Sequence, residues 1–281
     1  MPRVVALIEH VLPPVIEGAL NLVHPSWLPA IVEGLSAMHA ADPNYFLNLQ
    51  EADFLPSNDR LFAAFSLPLD QVKYVLVGEG PYPRAESANG YCFMDGAVGN
   101  IWSSEVNGGL SKKVNRATSL RNFIKMLLVA DGYLDVNHTT GDAMADVSTL
   151  ARKEHSNFIQ TLPELQSNML AHGFLLLNAS LVYRPEVAPI RDARAWQVFL
   201  QAVFCHLHSH QNAHQNETSR IIVSLVLWGK IAEQLKQIPA SNFFPHIVAE
   251  HPYNLSFIAN EGVQQFFRPM KLLLKLEKKR F

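Results

Sequence analysis

The sequence predicts an α/β protein of three layers, in which helices cover both faces of a central four-stranded parallel sheet. Two observations predict this class. Short apolar runs, typical of strands buried on both faces, alternate with longer segments of helical periodicity. Such alternation implies right-handed crossovers between parallel strands. The chain has 281 residues, of which 48% are hydrophobic, and we find no repeat or low-complexity linker, so residues 1–281 are expected to form a single domain.

The four predicted strands are the best-defined elements of the sequence. The first is a largely apolar, β-branched run that stops at Gly78, where a turn with two prolines begins. Prolines cannot continue a strand, because they fix φ and lack an N–H donor. The strands are predicted at residues 72–77, 173–177, 221–227 and 246–249.

The predicted helices surround these strands. Residues 1–70 are expected to form a helical wrapper on one side of the sheet, with two short helices in residues 3–23, broken at Pro13 and Pro14, and a third at residues 25–38. Further helices are predicted at residues 120–127 after a cap at 117–119, and at 149–171, 192–208 and 262–278, with a short one after Gly229. Residues 100–115, 131–147 and 209–219 lack periodicity and are predicted to be loops.

Composition narrows the possible classes. A formal net charge of −2 gives no general attraction to nucleic acid, although a local basic face is compatible with it. Cys92 and Cys205 are too few for an iron–sulfur or Cys-rich zinc site, and they fit a reducing compartment. No signal-peptide pattern and no uncharged run approaching about 18 residues occurs. We therefore expect a cytoplasmic protein with no membrane partner.

Three other motifs are weak. The histidines at positions 206, 208, 210 and 214 could supply metal ligands, but their alternate spacing in a polar segment without a nearby cysteine disfavours a metal site. Gly78 and Gly80 could begin a dinucleotide fingerprint, but the third glycine position holds Pro83. The P-loop and nucleophile-elbow patterns are absent from the sequence. We expect no metal and no cofactor.

Polar and aromatic residues follow each predicted strand. They lie at residues 78–83, at Asn178, at residues 228–230 and at residues 251–256. Because ligands of open α/β sheets bind beyond the carboxyl ends of the strands, these residues are expected to form one cleft. Taken singly, Asn178 would be a turn residue and His251 a satisfied surface or core group. Their recurrence at successive strand ends favours a site.

Six short motifs occur in order along the chain: GEGPYP at residues 78–83, GYCF ending at 93, ATSL around 119, LLLN at 175–178, LWG at 227–229 and HPYNLS at 251–256. Together they resemble the family-1 uracil-DNA glycosylases, whose water-activating loop reads Gly-Gln-Asp-Pro-Tyr-His. The likeness extends over roughly residues 25–275. It implies the family's fold and excision of uracil from DNA, a step of base excision repair in which the base is flipped out of the stack.

The resemblance implies a role for each residue of a uracil pocket. Phe93 would stack on uracil, and Asn178 would pair with its N3–H and O4, which cytosine presents with opposite polarity. Tyr82, in the loop that begins at Gly78, would exclude the methyl group of thymine. His251 would donate to O2 as negative charge develops on the leaving base.

The resemblance also implies DNA contacts. Leu255 would enter the duplex where the base had been, as an apolar wedge. Ser119 and Ser256, with nearby backbone N–H groups, would hold phosphates. Lys230 could hold a phosphate as well, or could be a solvated surface lysine. The expected partner is uracil-containing DNA, single- or double-stranded, bound by a monomer.

The chain departs from the family at the catalytic acid. The family's aspartate, which positions water and offsets positive charge on the sugar, falls at Gly80. Glu79 is the nearest substitute; alternatively, it caps backbone donors and leaves the enzyme weak or inactive. Gly80 could also replace a native aspartate. A binder of uracil-containing DNA or a repair scaffold is therefore the alternative to an active enzyme. Tyr253 and Asn254 also replace a Ser-Pro pair, and the extra length between motifs is placed in residues 131–153.

Overall fold

The computed structural model describes residues 14–213 and 222–276 of the chain. The described residues divide into two compact units. The first unit holds residues 14–92, 173–213 and 222–248, and the second holds residues 93–172 and 249–276. The chain passes between the two units three times, so neither unit is a continuous segment. The single domain expected from the sequence stays a prediction.

The first unit is built on a four-stranded sheet of order β2-β1-β3-β4. The strands are β1 (Tyr74–Gly78), β2 (Phe174–Asn178), β3 (Ser224–Trp228) and β4 (His246–Ala249). β1 runs parallel to both β2 and β3, and its apolar residues are buried, as are those of its two neighbours. The register places Gly78 beside Asn178 at the carboxyl end. The predicted α/β class with a four-stranded parallel sheet is confirmed.

Ten α-helices occur in the described residues. They are α1 (Pro14–Glu17), α2 (Leu28–Ala41), α3 (Tyr45–Gln50), α4 (Lys112–Arg116), α5 (Thr118–Ala130), α6 (Gly141–Ala151), α7 (Leu162–Ala171), α8 (Pro189–Ala213), α9 (Ile231–Leu235) and α10 (Glu261–Phe267). Short 3₁₀ helices lie at Gly18–Leu22, Pro25–Trp27, Ala63–Ser66, Leu69–Gln71, Pro239–Phe243, Leu255–Ala259 and Arg268–Met270.

The helices of the first unit pack through large buried side chains. α2 lies against α8, and the contact is close because a Cβ at Gly34 would lie 2.6 Å from the ring of Phe199. Within the predicted wrapper, the helix at residues 25–38 is confirmed as a 3₁₀ turn followed by α2. The earlier of the two helices predicted in residues 3–23 lies outside the described residues.

A buried polar network crosses the first unit. The Arg184 guanidinium donates to both carboxylate oxygens of Asp192, at 2.6 and 3.1 Å. The Tyr45 hydroxyl donates to Asp192 at 2.8 Å and accepts from the Trp196 indole N–H at 2.9 Å. Burial, together with the Asp192 charge, raises the pKa of Tyr45, so its hydroxyl remains a donor. Every member of the network is thereby satisfied.

The helices predicted in the middle of the chain are partly wrong. Residues 131–147 are not all loop, because α6 begins at Gly141, and the helix predicted at 149–171 is two helices. The break precedes α7, whose first turn contains Pro163 and a capping box formed by Thr161 and Glu164. α5 begins at Thr118, inside the cap predicted at 117–119, and no side chain makes a capping bond there. The loop at 100–115 ends earlier than predicted, because Ser111 caps α4.

The predicted ends of the last helices also differ from the structure. The helix expected at 262–278 ends as α10 at Phe267; Pro269 follows, and Lys271 adopts a left-handed conformation with φ of 49°. Residues 277–281 lie outside the described part. α8 extends to Ala213, so the loop predicted from residue 209 is wrong as far as 213, and residues 214–219 lie outside the described part.

Candidate active site

The turn after β1 forms the centre of the site in the first unit. It continues from Gly78 and is held by two backbone hydrogen bonds to the segment after β2. The Ala179 N–H donates to the Gly78 carbonyl at 2.8 Å, and the Ser180 N–H donates to the Glu79 carbonyl at 3.1 Å. These bonds extend the parallel pairing of β1 and β2 past the ends of the strands. The turn is therefore fixed beside Asn178.

Asn178 presents a buried, available amide. Its residue is only 3% exposed, yet its side chain makes no hydrogen bond with any residue in the described ranges. Buried polar groups in folded proteins normally have a partner, so an amide in this state at a strand end indicates a ligand group. With one acceptor and two donor hydrogens, the amide can pair with a ring edge that offers one donor and one acceptor.

Gly78 makes room for this amide. A Cβ at position 78 would lie 2.7 Å from the Asn178 Oδ1 and 2.8 Å from the Cys92 Cβ. Cys92 itself is fully packed: its thiol donates to the Leu76 carbonyl, and burial raises the pKa of the thiol well above its ordinary value. The contact with Cys92 is therefore structural, and any side chain at Gly78 would displace the Asn178 amide.

Glu79 and Gly80 line a cavity of about 320 Å³ in the first unit. This volume has room for several water molecules. The exposed Glu79 carboxylate forms no ion pair or hydrogen bond with the described residues. At Gly80, a Cβ would meet only Ser180, at 3.8 Å, which is ordinary contact distance. The Glu79 carboxylate therefore has no bonding partner among the described residues, and there is space for a side chain at Gly80.

Two other predicted site residues, Tyr82 and Lys230, also lie in the first unit. Tyr82 follows in the same turn and is half-buried. Lys230 is exposed and immediately precedes α9, where its carbonyl accepts from the Glu233 N–H. The lysine has no ion-pair partner within the described residues.

Two other predicted site residues, Phe93 and His251, lie close together in the second unit. Their ring centroids lie 5.8 Å apart with a tilt of 42° between the planes. Phe93 has a φ of +58°, a conformation that is strained for a bulky side chain. Such strain persists where the surrounding structure enforces it and is frequent at functional sites.

The tautomer of His251 follows from its surroundings. The backbone N–H of Tyr253 points at its Nδ1 with a distance of 3.1 Å, so Nδ1 is an acceptor. In the neutral ring the proton then sits on Nε2. Nε2 therefore carries the N–H donor of the ring.

The loop that carries His251 is anchored by residues that the sequence did not predict as site residues. Buried Asn122 of α5 donates to the carbonyls of Pro252 and Tyr253, at 2.8 and 3.3 Å. The Asn260 side chain donates to the Glu250 carboxylate at 2.7 Å. This bond holds Glu250, the residue that precedes His251. No local signal distinguished Asn122, because it lies next to Arg121 and three residues before Lys125 in the same helix.

The predicted DNA-contact residues of the second unit are all accessible. Leu255 is 69% exposed and begins the 3₁₀ helix Leu255–Ala259. Ser256 is exposed beside it, and Ser119 is half-buried in the first turn of α5. The structure thus groups Gly78, Glu79, Gly80, Tyr82, Asn178 and Lys230 in the first unit, and Phe93, Ser119, His251, Leu255 and Ser256 in the second.

Two features bear on other kinds of site. Across residues 14–213 and 222–276, no group of three or more His, Cys, Asp or Glu side chains is placed to hold a metal ion. In the histidine-rich run, His208 stacks on Phe243 with centroids 4.4 Å apart and bonds to Asn212. Within the same residues, none of the helices has the length and apolar character to span a membrane.

The fold and the residues at its strand ends define a class: α/β proteins with a four-stranded parallel sheet and polar side chains at the carboxyl ends of its strands. No family model matches the chain. It is 36% identical to the wild-type uracil-DNA glycosylase of Nitratifractor salsuginis, whose crystal structure matches with a TM-score of 0.80 over 94% of this chain and 99% of that one. The chain therefore belongs to the uracil-DNA glycosylase family.

More distant relatives agree with this assignment. The uracil-DNA glycosylase of Streptococcus mutans is 26% identical over 236 residues, covering 83% of this chain and 85% of the relative. The mimivirus uracil-DNA glycosylase is 15% identical with a TM-score of 0.51, covering 88% of this chain and 80% of that one, and shows the common fold alone.

Proposed function

We propose that this chain hydrolyses the N-glycosidic bond of deoxyuridine in DNA and releases uracil, a step of base excision repair. The observation that carries this proposal is the buried Asn178 amide, which lacks a partner in the described chain and lies beside Gly78. Uracil offers the N3–H donor and the O4 acceptor that such an amide matches. Membership of the uracil-DNA glycosylase family supports the same substrate.

The pocket residues act on a base that has left the stack. Phe93 stacks on the uracil face, and Tyr82 opposes C5, where thymine carries a methyl group. As the bond between C1′ and N1 breaks, its electron pair moves to the base and charge accumulates on O2. The Nε2–H of His251 then donates to O2 and stabilises the leaving uracil anion.

The Glu79 carboxylate supplies the negative charge that the reaction needs beside the sugar. The carboxylate offsets the positive charge on the sugar and holds a water molecule that attacks C1′. The water gives one proton to the Glu79 carboxylate, and its oxygen becomes the C1′ hydroxyl of the deoxyribose. Two observations support this role: the carboxylate is uncommitted among the described residues, and it borders a cavity with room for water. Gly80 has no side chain with which to share the task.

Contacts to the strand hold the extruded nucleotide. Leu255 fills the gap in the stack, while Ser119, Ser256 and Lys230 bind phosphates.

The pocket recognises only the extruded base, so single- and double-stranded DNA both serve as substrates. The active form that we propose is a monomer. The free thiols of Cys92 and Cys205 support a cytoplasmic location.

A base-release assay tests this function. Oligonucleotides with a single uracil, thymine or cytosine are incubated with the wild-type protein and with Asn178→Ala. We expect release of uracil alone, and a loss of about 10²-fold or more in Asn178→Ala because the pairing amide is gone. Asn157→Ala, an exposed asparagine with no side-chain bond to the described residues, is the control and should match wild type. Equal release of thymine, or undiminished activity of Asn178→Ala, would contradict the proposal.

A further inference from the structure

The backbone of residues 252–254 is unusually well fixed for an exposed loop. Asn122 holds the Pro252 and Tyr253 carbonyls, the Tyr253 N–H is held by His251, and the Asn254 N–H donates to the His251 carbonyl at 2.9 Å. The carbonyl of Asn254 accepts from the Phe257 N–H at 3.2 Å. Side chains on this loop are therefore presented from a rigid base.

Two large side chains project from this rigid loop. Tyr253 is 67% exposed and Leu255, two residues on, is 69% exposed. The phenol ring of Tyr253 makes no hydrogen bond or ring contact with the described residues. A rigid backbone with exposed aromatic and aliphatic side chains is preorganised for insertion into an apolar partner, because little conformational entropy is lost on binding.

Charge indicates which partner the loop meets. None of the six residues 251–256 is acidic, and the helix that anchors the loop carries the half-buried Arg121 one residue before Asn122. A loop of this kind suits a polyanion with planar rings, since aromatic side chains stack on nucleobases of any sequence. The loop also carries His251 and Leu255, to which the proposed function already assigns DNA contacts.

We propose that Tyr253 is a second inserting residue, whose ring stacks on the nucleobase next to the extruded uracil while Leu255 fills the gap. This inference rests on the proposed function. It gives Tyr253 a part in binding that does not require an opposite strand, so the effect of losing the ring is expected in single-stranded as well as double-stranded DNA.

The test uses DNA with a stable abasic-site analogue and 2-aminopurine as the neighbouring base, in single- and double-stranded form. Affinity is measured by anisotropy and stacking by the change in 2-aminopurine emission. We expect Tyr253→Ala to weaken binding about 10-fold or more and to abolish the emission change, in line with the loss of one stacked base. Tyr253→Phe keeps the ring and should retain both signals. Val106→Ala, which alters a 90% exposed side chain of the same unit, is the control.

Uracil release is measured in parallel, so that the two proposals can fail separately. If wild type releases uracil but Tyr253→Ala matches it in affinity and emission, the stacking role is wrong and the function stands; Tyr253 would then be free to meet a protein partner. If wild type releases no uracil, yet its binding to abasic DNA changes the emission and Tyr253→Ala abolishes that change, the stacking role stands and the proposed activity is wrong. Loss of both signals in Tyr253→Phe would also overturn the stacking role.

Discussion

At the residue scale, the recognition of uracil that we propose depends on the contact between Gly78 and Asn178. The register of β1 and β2 brings the two residues side by side. Because Gly78 has no side chain, the Asn178 amide can occupy the space beside it. Each residue alone would be unremarkable at the end of a strand. In the proposed function, their contact makes the strand end a binding group whose donors and acceptor are fixed in advance.

Gly78→Ala should abolish this arrangement while leaving the fold in place. The new Cβ would lie 2.7 Å from the Asn178 Oδ1, so the amide must move. We expect kcat/KM for uracil release to fall about 10²-fold, comparable to the loss of one preorganised polar group. The free energy of unfolding should fall by about 1–3 kcal/mol through overpacking.

Gly99→Ala is the matched control for this substitution. A Cβ at Gly99 would meet no atom within 4 Å, and its φ lies outside the left-handed region. Its activity should equal that of wild type. Wild-type kinetics in Gly78→Ala would show that Asn178 does not depend on the glycine.

At the element scale, the short helix α7 shows how local chemistry decides a helix boundary. Partial burial alone would raise the pKa of Glu164, but hydrogen bonds from the Gln160 and Thr161 N–H groups and from the Thr161 hydroxyl outweigh it and hold the pKa below its ordinary value. The charged carboxylate is therefore bound more favourably in the folded state than in the unfolded state. α7 begins where this capping box forms.

The Glu164 cap should stabilise the protein in a pH-dependent way. A carboxyl whose folded pKa is depressed contributes stability above its unfolded value of 4.5 and loses it as the pH falls through the folded pKa. We expect Glu164→Ala to cost about 0.5–2 kcal/mol at pH 7. The cost should shrink as the pH falls below 4.5, as measured by urea unfolding at several pH values.

Glu33→Ala, an exposed substitution on α2, provides the comparison for that series. Its effect on the free energy of unfolding should be small, as for most exposed substitutions. A cost for Glu164→Ala that stays constant down to low pH would show that the helix does not depend on the carboxylate charge.

Elements were predictable from the sequence where one local signal dominated. The strands could be placed because each is an apolar run stopped by a polar or small residue. The break between α6 and α7 was missed because buried residues such as Phe158 and Ile159 continue the apolar pattern through it. The last helix was overextended because its apolar periodicity was given more weight than Pro269, which lacks the N–H that an α-helix continuing from Phe267 would need.

The positions of the proposed site residues were predictable as far as these residues lie at strand ends. Gly78, Asn178 and His251 follow directly from strand positions and motif order. Asn122 could not be assigned in the same way, since its partners lie about 130 residues away and contacts of that separation leave no local pattern. The uncommitted state of Glu79 likewise depends on the surrounding structure.

At the scale of the whole molecule, the question is whether the two units fold together. The network of Arg184 and Asp192 lies entirely in the first unit, with side chains only 10% and 2% exposed. Asp192→Ala would leave the guanidinium and the Tyr45 hydroxyl without their acceptor. Because breaking one side of a buried pair leaves an uncompensated charge, we expect a loss of about 3–5 kcal/mol.

Hydrogen exchange can follow this loss in each unit separately. If the chain is one folding domain, Asp192→Ala should lower protection equally in β1 of the first unit and in α5 of the second. Glu233→Ala, which removes an exposed ion pair with Lys236, should cost at most about 1 kcal/mol and serves as the control. Loss of protection in β1 alone would contradict a single folding domain.

The most direct test of the central claim, that Glu79 supplies the catalytic carboxylate, is single-turnover release of uracil from an oligonucleotide with one uracil. Wild type, Glu79→Gln and Gly80→Asp are compared. We predict that wild type is active, that Glu79→Gln loses about 10²–10³-fold in rate, and that Gly80→Asp is at least as active as wild type, because a side chain fits at that position. An inactive wild type whose activity is restored by Gly80→Asp would contradict the claim and identify an intact pocket that lacks its acid.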